Sequence, residues 1–393
     1  MNGIFASLET SVFETMSRLA REHGAINLGQ GFPDDPGPED VRRKAAEAVV
    51  DGWNQYPPML GLPELREAVA AHYRHHQGIA LDPGAEVMVT SGATEALADC
   101  LFALIEPGDE VVLIQPMYDA YLPLVRRAGG VPRFVTLRPP EWRLDEDELA
   151  RAFSPRTRAV LLNNPLNPTG TVFPRAALEL LARHAERAGA VVIADEVWEH
   201  VIFDGREHVS VLAVPALRER AVKIGSAGKI FSLTGWKVGF VCAAPEFLRQ
   251  VARAHQFVTF TTAPSLQSAV AYGLGKEDSY FSGMRAELAA KRDRVASGLS
   301  AAGLSALPVE GTYFLNIDLE PLGVTDDVGF CARLVTEGGV AAIPVSAFYA
   351  ENAVRTVARF CFAKADATLD AAIERLIAFR PRLAAAAEAS ISR

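Results

Sequence analysis

The sequence is poor in cysteine, in excess positive charge and in long apolar runs, and each shortage excludes a class of protein. Its four cysteines are widely spaced and form no Cys-x-x-Cys pair, which argues against a zinc ribbon or a redox dithiol. The net charge of −9 leaves no general basic surface for nucleic acid or anionic lipid. No apolar run approaches the roughly 18 residues of a membrane helix. We therefore expect neither a nucleic-acid partner nor a membrane partner.

The composition that remains is that of an ordinary globular protein. The chain has 393 residues, of which 49% are hydrophobic and 22% charged, enough for two domains or one large one. The segment from Met1 to Arg21 carries Glu9 and Glu14 and lacks a continuous apolar stretch, so we predict no signal peptide. Unpaired thiols suit a reducing compartment, and a cytoplasmic location is expected.

The middle of the chain alternates strand patterns with helix patterns. Six short runs rich in apolar and β-branched residues are predicted strands: Glu86–Thr90, Glu110–Gln115, Ala159–Asn163, Ala190–Ala194, Val222–Gly225 and Val238–Ala243. Three longer segments between them have helix patterns: Glu95–Ile105, Asp119–Arg127 and Arg175–Ala188. This alternation predicts an α/β fold, with a mostly parallel sheet covered by helices on both faces to give three layers.

The two ends of the chain lack this alternation of strands and helices, and their pattern predicts a smaller α+β domain. A long charged helix pattern follows Tyr280 and continues to Leu299. Three strand-like segments come after it: Thr312–Asp318, Val340–Ile343 and Thr356–Phe362. The predicted large domain spans residues 41–284, and the predicted small domain combines residues 1–40 with residues 285–393.

Ligands of open α/β sheets bind beyond the carboxyl ends of the strands, and two such ends carry small or stiff turns. The turn Ser91-Gly92-Ala93-Thr94 precedes a helix, whose free N–H groups favour an anion such as phosphate. A tight turn capped by Ser91 or Thr94, without any ligand, would have the same sequence pattern. Two Asn-Pro steps stiffen the turn around Asn167 and would hold its amide in the crevice, although simple turn chemistry also explains them.

Two further strand ends carry charged residues. Asp195 directly follows an apolar strand, where it is either a helix cap or a partly buried carboxylate that needs a partner. Lys229 lies among small and apolar residues, and a desolvated lysine has a lowered pKa and can form Schiff bases. Lys237 offers a second cation eight residues later. A phosphate cradle, an amide, an acid and a lysine are together what pyridoxal 5'-phosphate (PLP) requires.

Seven segments in this order resemble the fold-type I, PLP-dependent aminotransferases of class I and II. Within that superfamily the similarity is greatest to the group of kynurenine–oxoglutarate (glutamine) transaminases and methionine aminotransferases. The matching segments span most of the chain: Asn27–Asp34, Asn54–Tyr56, Asn167–Gly170, Asp195–Val197, Ser226–Lys229, Thr234–Gly239 and Arg359–Phe362.

The resemblance implies a role for each residue around the cofactor. Lys229 would form the Schiff base and act as general base, Asp195 would pair with the ring nitrogen, and Asn167 would donate to the phenolate oxygen. Tyr118 would stack on the ring. The phosphate would be bound by the backbone of Gly92, Ala93 and Thr94 together with Ser226 and Lys237. Tyr56 would reach the phosphate in the other subunit of a homodimer.

The resemblance also implies how the substrate is bound. Arg359 would pair with the α-carboxylate, helped by the backbone near Gly31, because an arginine in an apolar strand needs a bidentate partner. Asn167 would lie beside the same carboxylate, and Phe260 would line the pocket of the other subunit. The resemblance implies no metal ion.

One position departs from the family pattern. The family usually has tyrosine three residues after the ring aspartate, but this sequence has Trp198. Indole offers a single N–H donor and cannot ionise as a phenol does. Trp198 therefore either donates to the cofactor from a shifted ring or packs beside it.

The expected reaction is transamination. The amino group of an L-amino acid, with a neutral, sulfur-containing or aromatic side chain, would pass to a 2-oxo acid through the Lys229 Schiff base and pyridoxamine phosphate. Two alternatives share the same cofactor residues: a β-lyase acting on cysteine conjugates or cystathionine, and an N-succinyldiaminopimelate aminotransferase. A transcription regulator with such a domain is not expected, because the motifs begin by residue 27 and no basic helix-turn-helix segment precedes them.

Overall fold

A computed structural model describes residues 3–6, 8 and 10–391 of the chain, with side chains up to residue 382. Residues 1, 2, 7, 9, 392 and 393 of the predicted small domain therefore lie outside the described part. Over the described residues, we find no helix with the length and apolar character needed to cross a membrane.

Helices and strands account for most of the described chain. The helices are α1 (Gly3–Ala6), α2 (Val12–Glu22), α3 (Glu39–Asp51), α4 (Pro63–Gln77), α5 (Ala93–Leu104), α6 (Tyr121–Arg127), α7 (Glu146–Ala152), α8 (Arg175–Ala188), α9 (Ala227–Ile230), α10 (Pro245–Val258), α11 (Pro264–Leu274), α12 (Asp278–Ala301), α13 (Asp327–Gly338) and α14 (Asp366–Ile391). The strands are β1 (Ile26–Asn27), β2 (Val87–Thr90), β3 (Glu110–Gln115), β4 (Val131–Thr136), β5 (Thr157–Asn163), β6 (Val191–Asp195), β7 (Ala221–Ser226), β8 (Gly239–Ala243), β9 (Ser305–Ala306), β10 (Phe314–Asp318), β11 (Val340–Ala341), β12 (Ile343–Pro344) and β13 (Val357–Cys361).

The central sheet has seven strands in the order β2-β8-β7-β6-β5-β3-β4. Strand β8 runs antiparallel to both of its neighbours, and the other pairs are parallel. The predicted mostly parallel α/β sheet is thus confirmed, and all six predicted strands belong to it. The sequence analysis missed β4, an edge strand that contains Pro132 and is only partly buried.

Side-chain alternation along the strands builds a core on each face of this sheet. Val112 of β3 and Val192 of β6 pack in one core with helices α3, α4, α8 and α11. Their neighbours Val111 and Ile193 pack in the other core with α5, α6 and α10. Because successive strand residues point to opposite faces, a strand buried on both faces is apolar throughout. The three layers that the sequence predicts follow from this arrangement.

A second, smaller sheet is built from the C-terminal part of the chain. Its four strands have the order β12-β13-β10-β9 and are antiparallel. Strand β1, near the N-terminus, pairs in parallel with β11. A third core joins α2 with α12, α13 and α14 around this sheet. These contacts agree with the idea that the two chain ends fold together, while the domain limits at residues 41 and 285 stay a prediction.

Candidate active site

A cavity of about 440 Å³ lies where strands β5, β6 and β7 end. The start of α5 closes one side of it, and β13 of the smaller sheet reaches it from another. Every residue that the sequence predicts for the site lines this cavity, except Tyr56 and Phe260. The fold therefore brings together groups that are far apart in the sequence.

Asp195 is the last residue of β6 and is buried at the floor of the cavity. Its Oδ2 accepts a hydrogen bond from the Tyr121 hydroxyl at 2.6 Å. Its Oδ1 has no hydrogen-bond partner among the described residues. Burial raises the pKa of the Asp195 carboxyl, although the bond from Tyr121 acts in the opposite direction. The free oxygen suits a cationic N–H donor supplied by a ligand.

Lys229 follows β7 on the single turn of α9, so the turn carries its amine into the cavity. The amine donates to the Tyr313 hydroxyl at 3.2 Å and lies 4.6 Å from the centre of the Trp198 ring. Burial lowers the pKa of Lys229 to about 8; Asp195 opposes this shift, and Lys237 adds to it. The neutral amine, which a nucleophile or base requires, is therefore far more abundant near neutral pH than in an ordinary lysine.

Arg359 is fully buried on β13 and reaches the same cavity. Its guanidinium donates to Asn167 Oδ1 and to the Gly29 carbonyl, both at 2.9 Å. Its Nε has no partner among the described residues. Burial lowers the pKa of Arg359 to about 10, so the group remains a cation at neutral pH. A buried cation with an unused donor favours a carboxylate ligand.

Asn163 holds the Asn167 turn beside Asp195. Its side-chain oxygen accepts from the Asn167 N–H at 2.7 Å, and its amide donates to the Asp195 carbonyl at 2.8 Å. Since Asn167 Oδ1 already accepts from Arg359, its side-chain N–H₂ group is the part left for another ligand.

The residues predicted to bind phosphate form the end of the cavity at α5. Gly92 caps this helix with φ +82°, and a Cβ there would lie 3.3 Å from the Lys237 amine. The N–H groups of the first turn and the lysine amine thus lie close together. A helix N-terminus beside a cation is a suitable site for a phosphate dianion.

Tyr56 and Phe260 lie outside the cavity of their own chain. Their rings stack edge to face with centroids 5.6 Å apart. Tyr56 is 81% exposed and Phe260 38% exposed. The prediction that both serve the site of a second subunit stays a prediction.

Sequence reasoning missed several residues of the site, among them Tyr121, Tyr313, Phe13, Phe314 and Asp119. Tyr121 and Tyr313 contact the two catalytic candidates directly, and the other three line the cavity. None belongs to a strand-end motif, apart from Asp119, which follows Tyr118. The sequence carries no signal for the two tyrosines, because their contacts join elements that are far apart along the chain.

The donor set fits PLP, judged from the cavity itself. Asp195 has a free buried oxygen for a ring N–H, Lys229 has an amine of lowered pKa for the aldehyde, and the α5 turn has N–H groups for the phosphate. These are the groups that PLP-binding proteins supply.

Comparisons with known proteins agree with this geometry. Residues 23–376 match the model of the family "Aminotransferase class I and II". A probable N-succinyldiaminopimelate aminotransferase DapC of Mycobacterium tuberculosis is 45% identical over 95% of this chain and 97% of its own. A methionine aminotransferase of Escherichia coli is 43% identical over 94% and 96%, respectively.

A solved structure has nearly the same fold. The N-succinyldiaminopimelate aminotransferase from Mycobacterium tuberculosis superposes with a TM-score of 0.93 and 45% identity, covering 96% of this chain and 99% of that one. The predicted fold type, cofactor and reaction class are thereby confirmed. The chain belongs to the class I and II aminotransferases, and it is a PLP-dependent transaminase acting on amino acids and 2-oxo acids.

Proposed function

We propose that this transaminase takes L-amino acids with neutral side chains, sulfur-containing or aromatic, as amino donors. One observation carries the proposal. Among the described residues that line the cavity, the lysines and arginine are Lys229, Lys237 and Arg359, and each already has a proposed partner. No cation of this chain is left there for a second substrate carboxylate.

The rest of the cavity lining supports the same substrate class. Five aromatic residues surround the space: Phe13, Phe32, Tyr118, Trp198 and Phe314. The Asp119 carboxylate also lines it and would repel an anionic side chain. Apolar or polarisable side chains such as those of methionine and phenylalanine suit these surroundings.

Arg359 would bind and orient the substrate through its α-carboxylate. The ring of Phe314 lies 3.9 Å from the guanidinium carbon, and that of Phe348 lies 5.0 Å away. These rings limit the access of water to the guanidinium. The pair with a carboxylate would therefore be stronger than the same pair in water.

Lys229 would move the proton of the reaction. Its neutral amine would remove the proton from the substrate α-carbon as general base, an effect typically worth about 10²–10⁴ in rate. Bound PLP supplies the electron-withdrawing ring that takes up the charge left on that carbon. Asp195, kept in place by Tyr121, would hold the proton at the ring nitrogen.

We also propose that the enzyme has the predicted two domains and works as a homodimer. The separate core around the smaller sheet supports the domain division, with Arg359 entering the cavity from the small domain. The exposed, stacked pair of Tyr56 and Phe260 supports a shared site, since large exposed aromatic residues mark interaction surfaces.

A panel of amino donors tests the proposed substrate class. Half-reactions with methionine, glutamine, phenylalanine and kynurenine are followed through the cofactor spectrum, beside aspartate and N-succinyldiaminopimelate. We expect kcat/KM to be at least about tenfold higher for the neutral donors, because an unpaired carboxylate in the cavity loses its solvation. The variant Asp119→Asn should narrow that difference, and Lys229→Ala gives the background.

Two outcomes would contradict the proposal. A preference for N-succinyldiaminopimelate or aspartate would show that a carboxylate partner exists and would assign the other substrate class. Release of pyruvate from a cysteine conjugate without any 2-oxo acid acceptor, faster than transamination of methionine, would favour the β-lyase.

A further inference from the structure

A buried cluster of Glu95, Asp99 and His255 lies behind the turn that begins α5. His255 on α10 is fully buried, and its Nδ1 lies 2.6 Å from Glu95 Oε1 and 3.5 Å from Asp99 Oδ2. Its Nε2 lies 3.1 Å from the carbonyl oxygen of Met59. No residue of this cluster lines the active-site cavity.

The partners of His255 require that its ring be charged. A carboxylate faces one ring nitrogen and a carbonyl oxygen faces the other, and both of these groups accept hydrogen bonds. A neutral imidazole has one N–H and could satisfy only one of them, whereas the imidazolium donates to both. Although burial alone would lower it, the carboxyl partners raise the pKa of His255 to about 9. Those bonds from His255 also keep the pKa of Glu95 below its usual range, against the effect of burial.

Glu95 connects His255 to the Ser91–Thr94 turn through a hydrogen bond. Its second oxygen, Oε2, accepts the N–H of Ser91 at 2.6 Å, directly before Gly92. The Thr259 hydroxyl donates to Glu95 Oε1 at 2.9 Å. A carboxylate so close to a phosphate site would repel the phosphate unless a cation balanced it, and His255 is that cation. The second carboxyl of the cluster adds little negative charge near neutral pH, because burial raises the pKa of Asp99 to about 8.

On its other side, the His255 ring is hydrogen-bonded to the segment around Met59. Met59, whose carbonyl receives the His255 Nε2–H, lies three residues after Tyr56. Tyr56 is the residue proposed to reach the phosphate bound by the other subunit. The imidazolium therefore lies between two segments that both serve a cofactor phosphate.

We propose that His255 is a positioning residue for cofactor binding, whose imidazolium, through Glu95, fixes the Ser91–Thr94 turn against the segment of Met59. This inference rests on the proposed phosphate site at Gly92, Ala93, Thr94 and Lys237. His255 does not touch the cofactor, and it acts through the geometry and charge of the turn.

A double-mutant cycle on cofactor affinity tests the proposal. Cofactor-free His255→Gln, Glu95→Gln and the double variant are titrated with PLP and, separately, with pyridoxal, which lacks the phosphate. We expect each single substitution to raise the Kd for PLP about tenfold, the size of a charge-assisted hydrogen bond. The double variant should be no weaker than the weaker single variant, because both act through one unit. The Kd for pyridoxal should not change.

Several results would overturn the inference. They are an unchanged Kd for PLP, strictly additive losses, or an equal loss of PLP and pyridoxal binding, which would mark a general structural role. If His255→Gln fails to fold, Thr259→Val removes one bond to Glu95 and should raise the Kd for PLP severalfold, while an unchanged Kd would contradict the proposal. A matched control is His184→Gln, which removes a buried histidine of α8 that packs against Phe153, the residue after α7.

Lys237→Ala separates this inference from the phosphate site on which it rests. Should Lys237→Ala leave the Kd for PLP unchanged, the phosphate site itself is wrong. Should it weaken PLP binding while the His255 and Glu95 variants do not, the site holds and the positioning role fails.

Discussion

At the scale of single residues, the surroundings of Lys229 and Asp195 determine what the site can do. The motifs predicted both residues, since Asp195 directly follows a predicted apolar strand and Lys229 lies among small and apolar residues. They could not predict Tyr121 and Tyr313, whose hydroxyls contact the Asp195 carboxylate and the Lys229 amine. Those contacts depend on packing between elements, which leaves no local pattern. The Trp198 ring lies beside the Lys229 amine and meets the Tyr313 ring edge to face, while its role toward the cofactor stays a prediction.

The lowered pKa of Lys229 leads to a prediction about pH. The neutral amine is the reactive form, and its fraction rises about tenfold per pH unit below the pKa and levels off above it. The rate at which cofactor-free enzyme captures PLP should therefore climb with pH up to about 8 and then level off. Stopped-flow absorbance measures that rate, with Lys229→Ala as the background for other lysines. A rate that keeps climbing to pH 10 would mean an unshifted lysine.

At the scale of elements, the sequence predicted six strands of the central sheet and the helices α5, α6, α8 and α12, but it did not name the long helices α3, α4, α10, α11 and α13. The bounds of β3 and α8 match the predicted Glu110–Gln115 and Arg175–Ala188. Strand β4 was missed because an edge strand need not be apolar, and its burial alternates along the chain. The seven-residue helix α7 was missed as well, since two turns are too short for a clear helical period. Long-range packing, not local pattern, fixes these two elements.

The turn that begins α5 leads to a prediction at this scale. Gly92 has φ +82°, and a Cβ at this position would lie 3.1 Å from Lys237 Cε. Gly92→Ala should therefore strain the turn, displace the lysine and weaken PLP binding about tenfold, which titration of cofactor-free enzyme measures. With ψ at 172°, Gly92 lies in a backbone region that is essentially restricted to glycine, so alanine there should also lower the free energy of unfolding by roughly 1–3 kcal/mol.

Gly78 provides the matched control for that substitution. It ends α4 with φ +66°, and no atom lies within 4 Å of a Cβ placed there. Gly78→Ala should lower the free energy of unfolding to a similar extent while leaving the Kd for PLP unchanged. Equal effects of both variants on PLP binding would remove Gly92 from the phosphate site.

At the scale of the whole molecule, the active site joins parts of the chain that the sequence keeps far apart. Strand β1 pairs with β11, and Arg359 on β13 donates to the Gly29 carbonyl just after β1. A substrate carboxylate bound by Arg359 would therefore lie where the two chain ends meet. The sequence predicted this association of the two ends, because neither end shows the alternation of strands and helices found in the middle of the chain. It could not predict the cavity shape, which depends on how the two sheets pack.

The proposed sharing of sites between subunits can be tested with hybrid dimers. Lys229→Ala and Tyr56→Ala carry different tags, and the mixed dimer is purified through both. If Tyr56 serves the other subunit, the site in the Tyr56→Ala chain has its own Lys229 and receives Tyr56 from the Lys229→Ala chain. One site per dimer is then intact, and the mixed dimer should bind PLP at that site with wild-type affinity and turn over at half the wild-type rate. If Tyr56 serves its own chain, each site of the mixed dimer lacks one group, and neither should recover wild-type PLP affinity and turnover.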